Sequence, residues 1–293
     1  MPKPPSSNNS APCGCLLGIL ALAATASGLY RICVRLGYGR TGWLAAVLVL
    51  LANPVILYTY TTALTEPVLL MCLVAGMAGL AHWATSRRRM SAGELAVFAG
   101  IPSGAAVLSR YEGWALVLTG SLFVLATELR RSRQCREAVK MAAAYAMVPV
   151  AAVLWWLSYN WAIYGNPMEF MFGQYSAYAQ QKTITDGGLL PTKGNLGLTL
   201  WTFHWSLLET LGVLVLAAAA CGALVVVYRR GLATSTLLVA VTGSAYAFAL
   251  LSLYLGRPPS TTTIHSPAPG GTTISPSPRC PWPLFSQRLS CTK

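Results

Sequence analysis

Long apolar runs alternate with short polar breaks along most of the chain. Eight runs are about long enough to cross a bilayer as helices: residues 11–30, 42–60, 66–84, 93–109, 113–128, 140–163, 206–228 and 232–255. The pattern predicts an all-α, polytopic helical membrane protein of about eight transmembrane segments. Only Arg110, Tyr111 and Glu112 separate the fourth and fifth runs, which suits either two tilted spans or a re-entrant pair.

The breaks differ in charge. Arg31, Arg35 and Arg40 follow the first run, and Arg87, Arg88 and Arg89 the third. Arg130, Arg131, Arg133, Arg136 and Lys140 follow the fifth, and Arg229 and Arg230 the seventh. These are alternate breaks, so the positive-inside rule puts all four clusters in the cytoplasm. The other face then carries Glu66, the Arg110–Glu112 corner, an outer loop over 164–205 and both termini. The ATA at 24–26 suits a cleaved signal peptide, but Lys3 before the run and three Arg after it reverse a signal's polarity. Residues 1–10 read as a disordered tail, and 11–255 as one multi-span membrane domain. Residues 256–293, rich in Pro, Ser and Thr, read as a second disordered tail.

Composition supports lipid as the solvent. The 293 residues are 55% hydrophobic and 10% charged, against roughly 25% charged in soluble domains. The net charge of +13 raises nucleic acid as a partner, but the basic residues sit in short clusters between apolar runs, and nucleic-acid binding is not expected. The eight Cys and three His show no metal-ligand spacing. No phosphate-binding loop, G-x-S-x-G or H-E-x-x-H is present.

Three polar groups on the outer face could carry chemistry. Thr65-Glu66-Pro67 opens the third run. Its plain reading is a helix start, with Thr65 as cap, Glu66 at the positive dipole end and Pro67 in the first turn. Its functional reading puts Glu66 on a wet cavity in the outer leaflet. SRYEGW at 109–114 reads either as a short turn held by local pairing or as a site. In the site, Arg110 engages a phosphate with its planar fork, and Glu112 orients it or meets a sugar hydroxyl. The stretch 159–180 alternates aromatic rings with Asn, Gln and a Gly-Asn-Pro turn. It suits an interfacial aromatic belt or a platform for a sugar and its lipid carrier. The candidate binding residues are therefore Glu66, Arg110, Tyr111, Glu112, Tyr164, Asn166, Gln174 and Tyr175. The Gly14/Gly18 and Gly100/Gly104 pairs would let helices approach closely.

ANPVILYTYTTALTEPVLL at 52–70, LSRYEGWALVL at 108–118 and WAIYGNPMEFMFGQYSA at 161–177 together resemble membrane glycosyltransferases of the GT-C superfamily. The likeness is to prokaryotic dolichyl-phosphate-mannose mannosyltransferase-like proteins, and it covers about 42–255. It implies a multi-pass enzyme of the prokaryotic plasma membrane that moves a sugar from a polyprenyl-phosphate donor on the non-cytoplasmic face. It also implies a catalytic Asp or Glu on the first outer loop, with a divalent metal nearby. The loop 31–42 carries no acid and is expected inside. The resemblance therefore implies a family member shortened at both ends, an inactive fragment whose catalytic loop lies outside it, and no catalytic residue is assigned. The expected partners are the lipid bilayer and the polyprenyl-phosphate sugar, with the acceptor unknown. A permease subunit and a non-catalytic membrane scaffold are the alternatives; no convincing repeat between halves supports the first.

Overall fold

The computed structural model describes residues 10–61, 65–173, 176, 179, 192–231 and 233–255, all within the first of the chain's two units, Met1–Thr262. The two tails lie outside the described residues, apart from Ser10. The described residues are helical with no strand. They form α1 (Ser10–Arg35), α2 (Gly39–Ala52), α3 (Pro54–Thr61), α4 (Glu66–Thr85) and α5 (Ala92–Leu95). A π-helical turn, Ala96–Gly100, joins α5 to α6 (Ile101–Ser109), and a 3-10 turn, Tyr111–Gly113, leads into α7 (Trp114–Ser132). Then come α8 (Cys135–Tyr164), α9 (Glu169–Phe172), α10 (Leu196–Leu211), α11 (Val213–Arg230) and α12 (Thr234–Tyr254). A helix closes its backbone hydrogen bonds within itself, which lipid requires of any crossing segment.

Seven helical stretches among the described residues are long and apolar enough to cross a membrane, and the bent pair α2–α3 makes an eighth if it counts as one crossing. Two expected segments are corrected. Residues 42–60 are not one straight helix: α2 and α3 meet at 72°. Pro54 disfavours helical backbone at Asn53, and Asn53 is extended at ψ 111°. The Asn53 amide oxygen accepts the Val55 and Ile56 N–H groups at 2.9 and 3.1 Å, so it restarts the chain as α3. Residues 206–228 also divide. Gly212, at φ 79° and ψ 155°, ends α10 and begins α11, so the expected outer loop 164–205 holds α9 and most of α10. The fourth and fifth runs are two separate helical stretches, Ala92–Ser109 and Tyr111–Ser132, each long enough to cross.

The core lies where α4, α7 and α8 meet the π turn, with Leu80, Trp83, Phe123 and Tyr145 at its centre. Leu238 and Val241 attach α12 to it. Small residues set the spacing, as close packing in lipid favours. A Cβ on Gly79 would stand 2.1 Å from the Phe98 carbonyl oxygen, and one on Gly120 would stand 2.2 Å from Tyr145 Oη. The Gly100/Gly104 pair packs on α8 at Tyr145 and Val148. Helix α11, by contrast, buries no residue. Leu214 and Tyr228 on it are 86% and 92% exposed, which suits lipid and would be costly in water.

The helix ends segregate. Arg131 donates to the Ser86 carbonyl at 3.2 Å, and Arg230 donates to the Leu36 carbonyl at 3.2 Å. The ends of α1, α4, α7 and α11 therefore share the arginine-rich side. Glu66, at the start of α4, meets Arg110 beyond the end of α6, on the opposite side.

Gly79→Ala forces a side chain into the Phe98 backbone and should destabilise the bundle by about 1–3 kcal/mol. Gly222→Leu, on α11 where a Cβ has nothing within 4 Å, should leave it unchanged. Thermal melting of the detergent-purified protein checks both.

Candidate functional site

Three helix ends build the site. Glu66 is the first residue of α4, with Pro67 in the first turn where no N–H is needed. Thr65 occupies the capping position, but its side chain makes no capping bond and its backbone is already helical, at φ −82° and ψ −16°. The helix-start reading thus holds for Pro67 and Glu66, while Thr65 does not cap.

Arg110 sits in extended backbone (φ −161°, ψ 160°) between α6 and the 3-10 turn. Its N–H donates to the Ala106 carbonyl at 3.2 Å, and its carbonyl accepts the Gly113 N–H at 3.0 Å. Gly113 makes that fold-back feasible, since a Cβ there would lie 2.3 Å from the Ala106 carbonyl oxygen. The corner aims the guanidinium at both acids. Nη1 donates to Glu66 Oε1. Nε and Nη2 donate to the two oxygens of Glu112 at 3.2 and 3.3 Å. The Arg110, Glu66 and Glu112 side chains are 15%, 20% and 22% exposed.

Two carboxylates thus share one guanidinium, and the trio carries a net charge of about −1 when all three are ionised. Burial works against the Arg110 charge, but the hydrogen bond and charge of Glu112, followed by those of Glu66, outweigh it and hold the guanidinium above its ordinary value. Glu66 Oε2 is buried and has no hydrogen-bond partner among the described residues. An ionised oxygen in that position is a ready acceptor for a ligand hydroxyl or water.

Aromatic rings form the adjoining wall. Tyr111 stacks on Phe170 with centroids 5.2 Å apart and planes at 21°. Trp114 and Trp156 meet the same Phe170 ring at 5.8 and 6.2 Å, and Trp156 stacks on Tyr159 at 5.8 Å. The Trp156 indole nitrogen is buried and lacks a partner among the described residues. Asn166 shapes the turn before Phe170: its side-chain oxygen accepts the Met168 N–H at 3.0 Å, and its amide lies 3.4 Å from Glu169.

Of the candidate residues, Glu66, Arg110, Tyr111 and Glu112 come together. Tyr164 is 57% exposed at the end of α8 and stands apart from the rings. Asn166 is occupied by its own turn. Gln174 and Tyr175 lie outside the described residues. Trp114 and Phe170 lie in the stretches 109–114 and 159–180 that the sequence singles out, although neither was named as a candidate, and Trp156 was missed. Its signal was spacing, since Trp156 and Tyr159 are three apart on α8 and share a face. Among the described residues no group of three or more His, Cys, Asp or Glu could hold a metal ion, and both site carboxylates face Arg110.

Arg110→Met should leave two carboxylates facing each other and cost about 2–4 kcal/mol. Adding Glu66→Gln and Glu112→Gln should recover much of that loss. Melting of the single and triple variants checks the balance.

A family model described as dolichyl-phosphate-mannose-protein mannosyltransferase matches residues 8–156, just over half of the chain. The matched stretch holds the acid–guanidinium trio, Trp114 and Trp156, and ends before Phe170. No curated protein and no solved structure gives a significant match.

Proposed function

The chain belongs to the dolichyl-phosphate-mannose-protein mannosyltransferase family and is a multi-pass membrane glycosyltransferase-like protein; from that premise we propose that it binds a polyprenyl-phosphate sugar at the non-cytoplasmic face of a prokaryotic plasma membrane. The observation that supports this most is the meeting of Glu66, Arg110 and Glu112 with the Tyr111–Phe170–Trp156 rings, at the end of the bundle away from the arginine clusters. The positive-inside rule makes that end the outer one.

The contacts suggest how the donor would sit. A phosphate approaching the trio meets net negative charge, so it must displace a carboxylate to reach Arg110. Glu112 is the one to leave, because its departure exposes Nε and Nη2 together, a planar pair matched to two phosphate oxygens. Glu66 stays on Nη1 and keeps the guanidinium aimed. Its second oxygen receives a sugar hydroxyl, and the freed Glu112 receives another. Tyr111 and Phe170 offer flat apolar faces to the sugar ring or to the first isoprene units.

A photoreactive analogue of polyprenyl-phosphate mannose should crosslink to the chain in membranes containing the protein, and the radiolabelled donor should be retained by the purified chain. Arg110→Ala should reduce both by at least about a hundredfold, since a charge-assisted, bidentate contact is lost. Arg88→Ala, at the opposite end, should change neither. Equal effects of the two substitutions, or vesicle uptake of the sugar without transfer, would count against the reading.

A further inference from the structure

The arginine-rich end holds a second polar concavity. A cleft of about 270 Å³ opens between the end of α4, the end of α7 and the start of α12, lined by Ala84, Thr127, Arg130, Arg131, Thr234 and Leu237. Arg131 stands seventeen residues beyond Trp114 along α7, so the cleft lies roughly 25 Å from the Glu66–Arg110–Glu112 trio. It belongs to a different leaflet and takes no part in the site above.

Three independent features make this cleft suited to an anion. Arg130 and Arg131 bring two positive charges to its wall, and Arg131 is held in place by its bond to the Ser86 carbonyl. A guanidinium carries five N–H donors, so that bond leaves Arg131 others to offer. The N-terminus of α12, a helix of 21 residues, opens at the cleft, and its capping position is Ala233, which supplies no side-chain acceptor for the first-turn N–H groups. Finally, Thr127 Oγ1, Ser235 Oγ and Thr236 Oγ1 are buried without hydrogen-bond partners among the described residues. Thr127 lines the cleft, while Ser235, 3% exposed, and Thr236 follow the lining Thr234 in the same turn. Orphaned buried hydroxyls are uncommon enough to point to a missing partner. Among the described residues no carboxylate lines the cleft; Glu128, the nearest acid in sequence, is buried and is not among the lining residues.

The position of the cleft selects the kind of anion. It lies at the ends of three membrane-crossing helices, the depth of lipid headgroups, and Ala84 and Leu237 give it an apolar floor toward the spans. We propose that this cleft binds the phosphate of an anionic phospholipid, with the lipid headgroup bridging α7 to α12. Arg130 and Arg131 face the phosphate oxygens, Thr127 donates its hydroxyl, and the first turn of α12 offers backbone N–H groups. Basic pockets between helices at a membrane surface are general sites for acidic headgroups. The bound lipid would stabilise the attachment of α12, which otherwise reaches the core chiefly through Leu238 and Val241.

The test uses the full chain purified in a neutral detergent and read by native mass spectrometry and by thermal melting. Added phosphatidylglycerol should remain bound and raise the melting temperature; phosphatidylcholine and inorganic phosphate at the same concentration should not. Arg130→Gln/Arg131→Gln together should weaken phosphatidylglycerol binding by roughly thirtyfold. Thr127→Val, nearly isosteric and chosen so that a fold defect in the double variant leaves a readout, should weaken it by roughly fivefold. Arg88→Gln/Arg89→Gln, on the same face but outside the cleft, should bind as the unaltered chain does. Equal weakening by the Arg88/Arg89 pair would mean a diffuse charge effect and would overturn the site. An equal shift from inorganic phosphate would overturn the lipid as its source, and an equal shift from phosphatidylcholine would overturn its acidic character. Unchanged binding in both Thr127→Val and the Arg130/Arg131 variant would also reject it.

Discussion

A guanidinium shared by two carboxylates fixes the geometry of one end of this bundle. Arg110 sits in a short extended link between α6 and the 3-10 turn, and from there it reaches back to Glu112 in its own turn and across to Glu66 at the start of α4. Charges this close to lipid are costly to desolvate, and the cost is offset only when partners and geometry are good. Here the Arg110 fork meets three carboxylate oxygens, and one, Glu66 Oε2, is left over. The trio therefore carries one acid more than its single guanidinium neutralises.

The trio depends on packing far from it. Glu66 reaches Arg110 only because α4 lies against the π turn and α6, and Gly79 brings those backbones together at Phe98. Gly113 then lets the turn carrying Glu112 close onto Ala106. Helix α12, from the second half of the chain, joins by a 3.0 Å contact between Ser244 and Thr119 of α7, and its end accepts the Gly194 N–H at 3.1 Å. The wall of rings also needs Phe170, beyond the stretch that the family model matches. Both halves of the described bundle therefore contribute to the site, although the family likeness rests on the first.

Most of the helices were legible in the sequence, because a lipid solvent demands long apolar runs and places few other demands on them. The breaks were harder. Asn53–Pro54 lies inside an unbroken apolar run, and hydropathy hides the 72° bend that the Asn-Pro pair itself signals. Gly212 is as inconspicuous, since a single glycine in an apolar stretch reads equally well as a packing site. The corner SRYEGW and the acid of TEP could be singled out as charges in otherwise uncharged surroundings, and they do meet. Local pairing of Arg110 with Glu112 was one of the two readings of SRYEGW, and that pair is present. What sequence could not give was the contact to Glu66, forty-four positions before Arg110.

That engagement changes what the two ends of the protein ask of a phosphate. At the arginine-rich end Arg130 and Arg131 line the cleft, and Thr127 Oγ1 is buried beside them without a hydrogen-bond partner among the described residues. At the other end both oxygens of Glu112 already lie on Nε and Nη2 of Arg110, so any phosphate reaching that edge of the guanidinium would have to displace a carboxylate. The Glu112 contacts, at 3.2 and 3.3 Å, are longer than charge-assisted hydrogen bonds usually are, and Glu66 holds Nη1 of the same guanidinium.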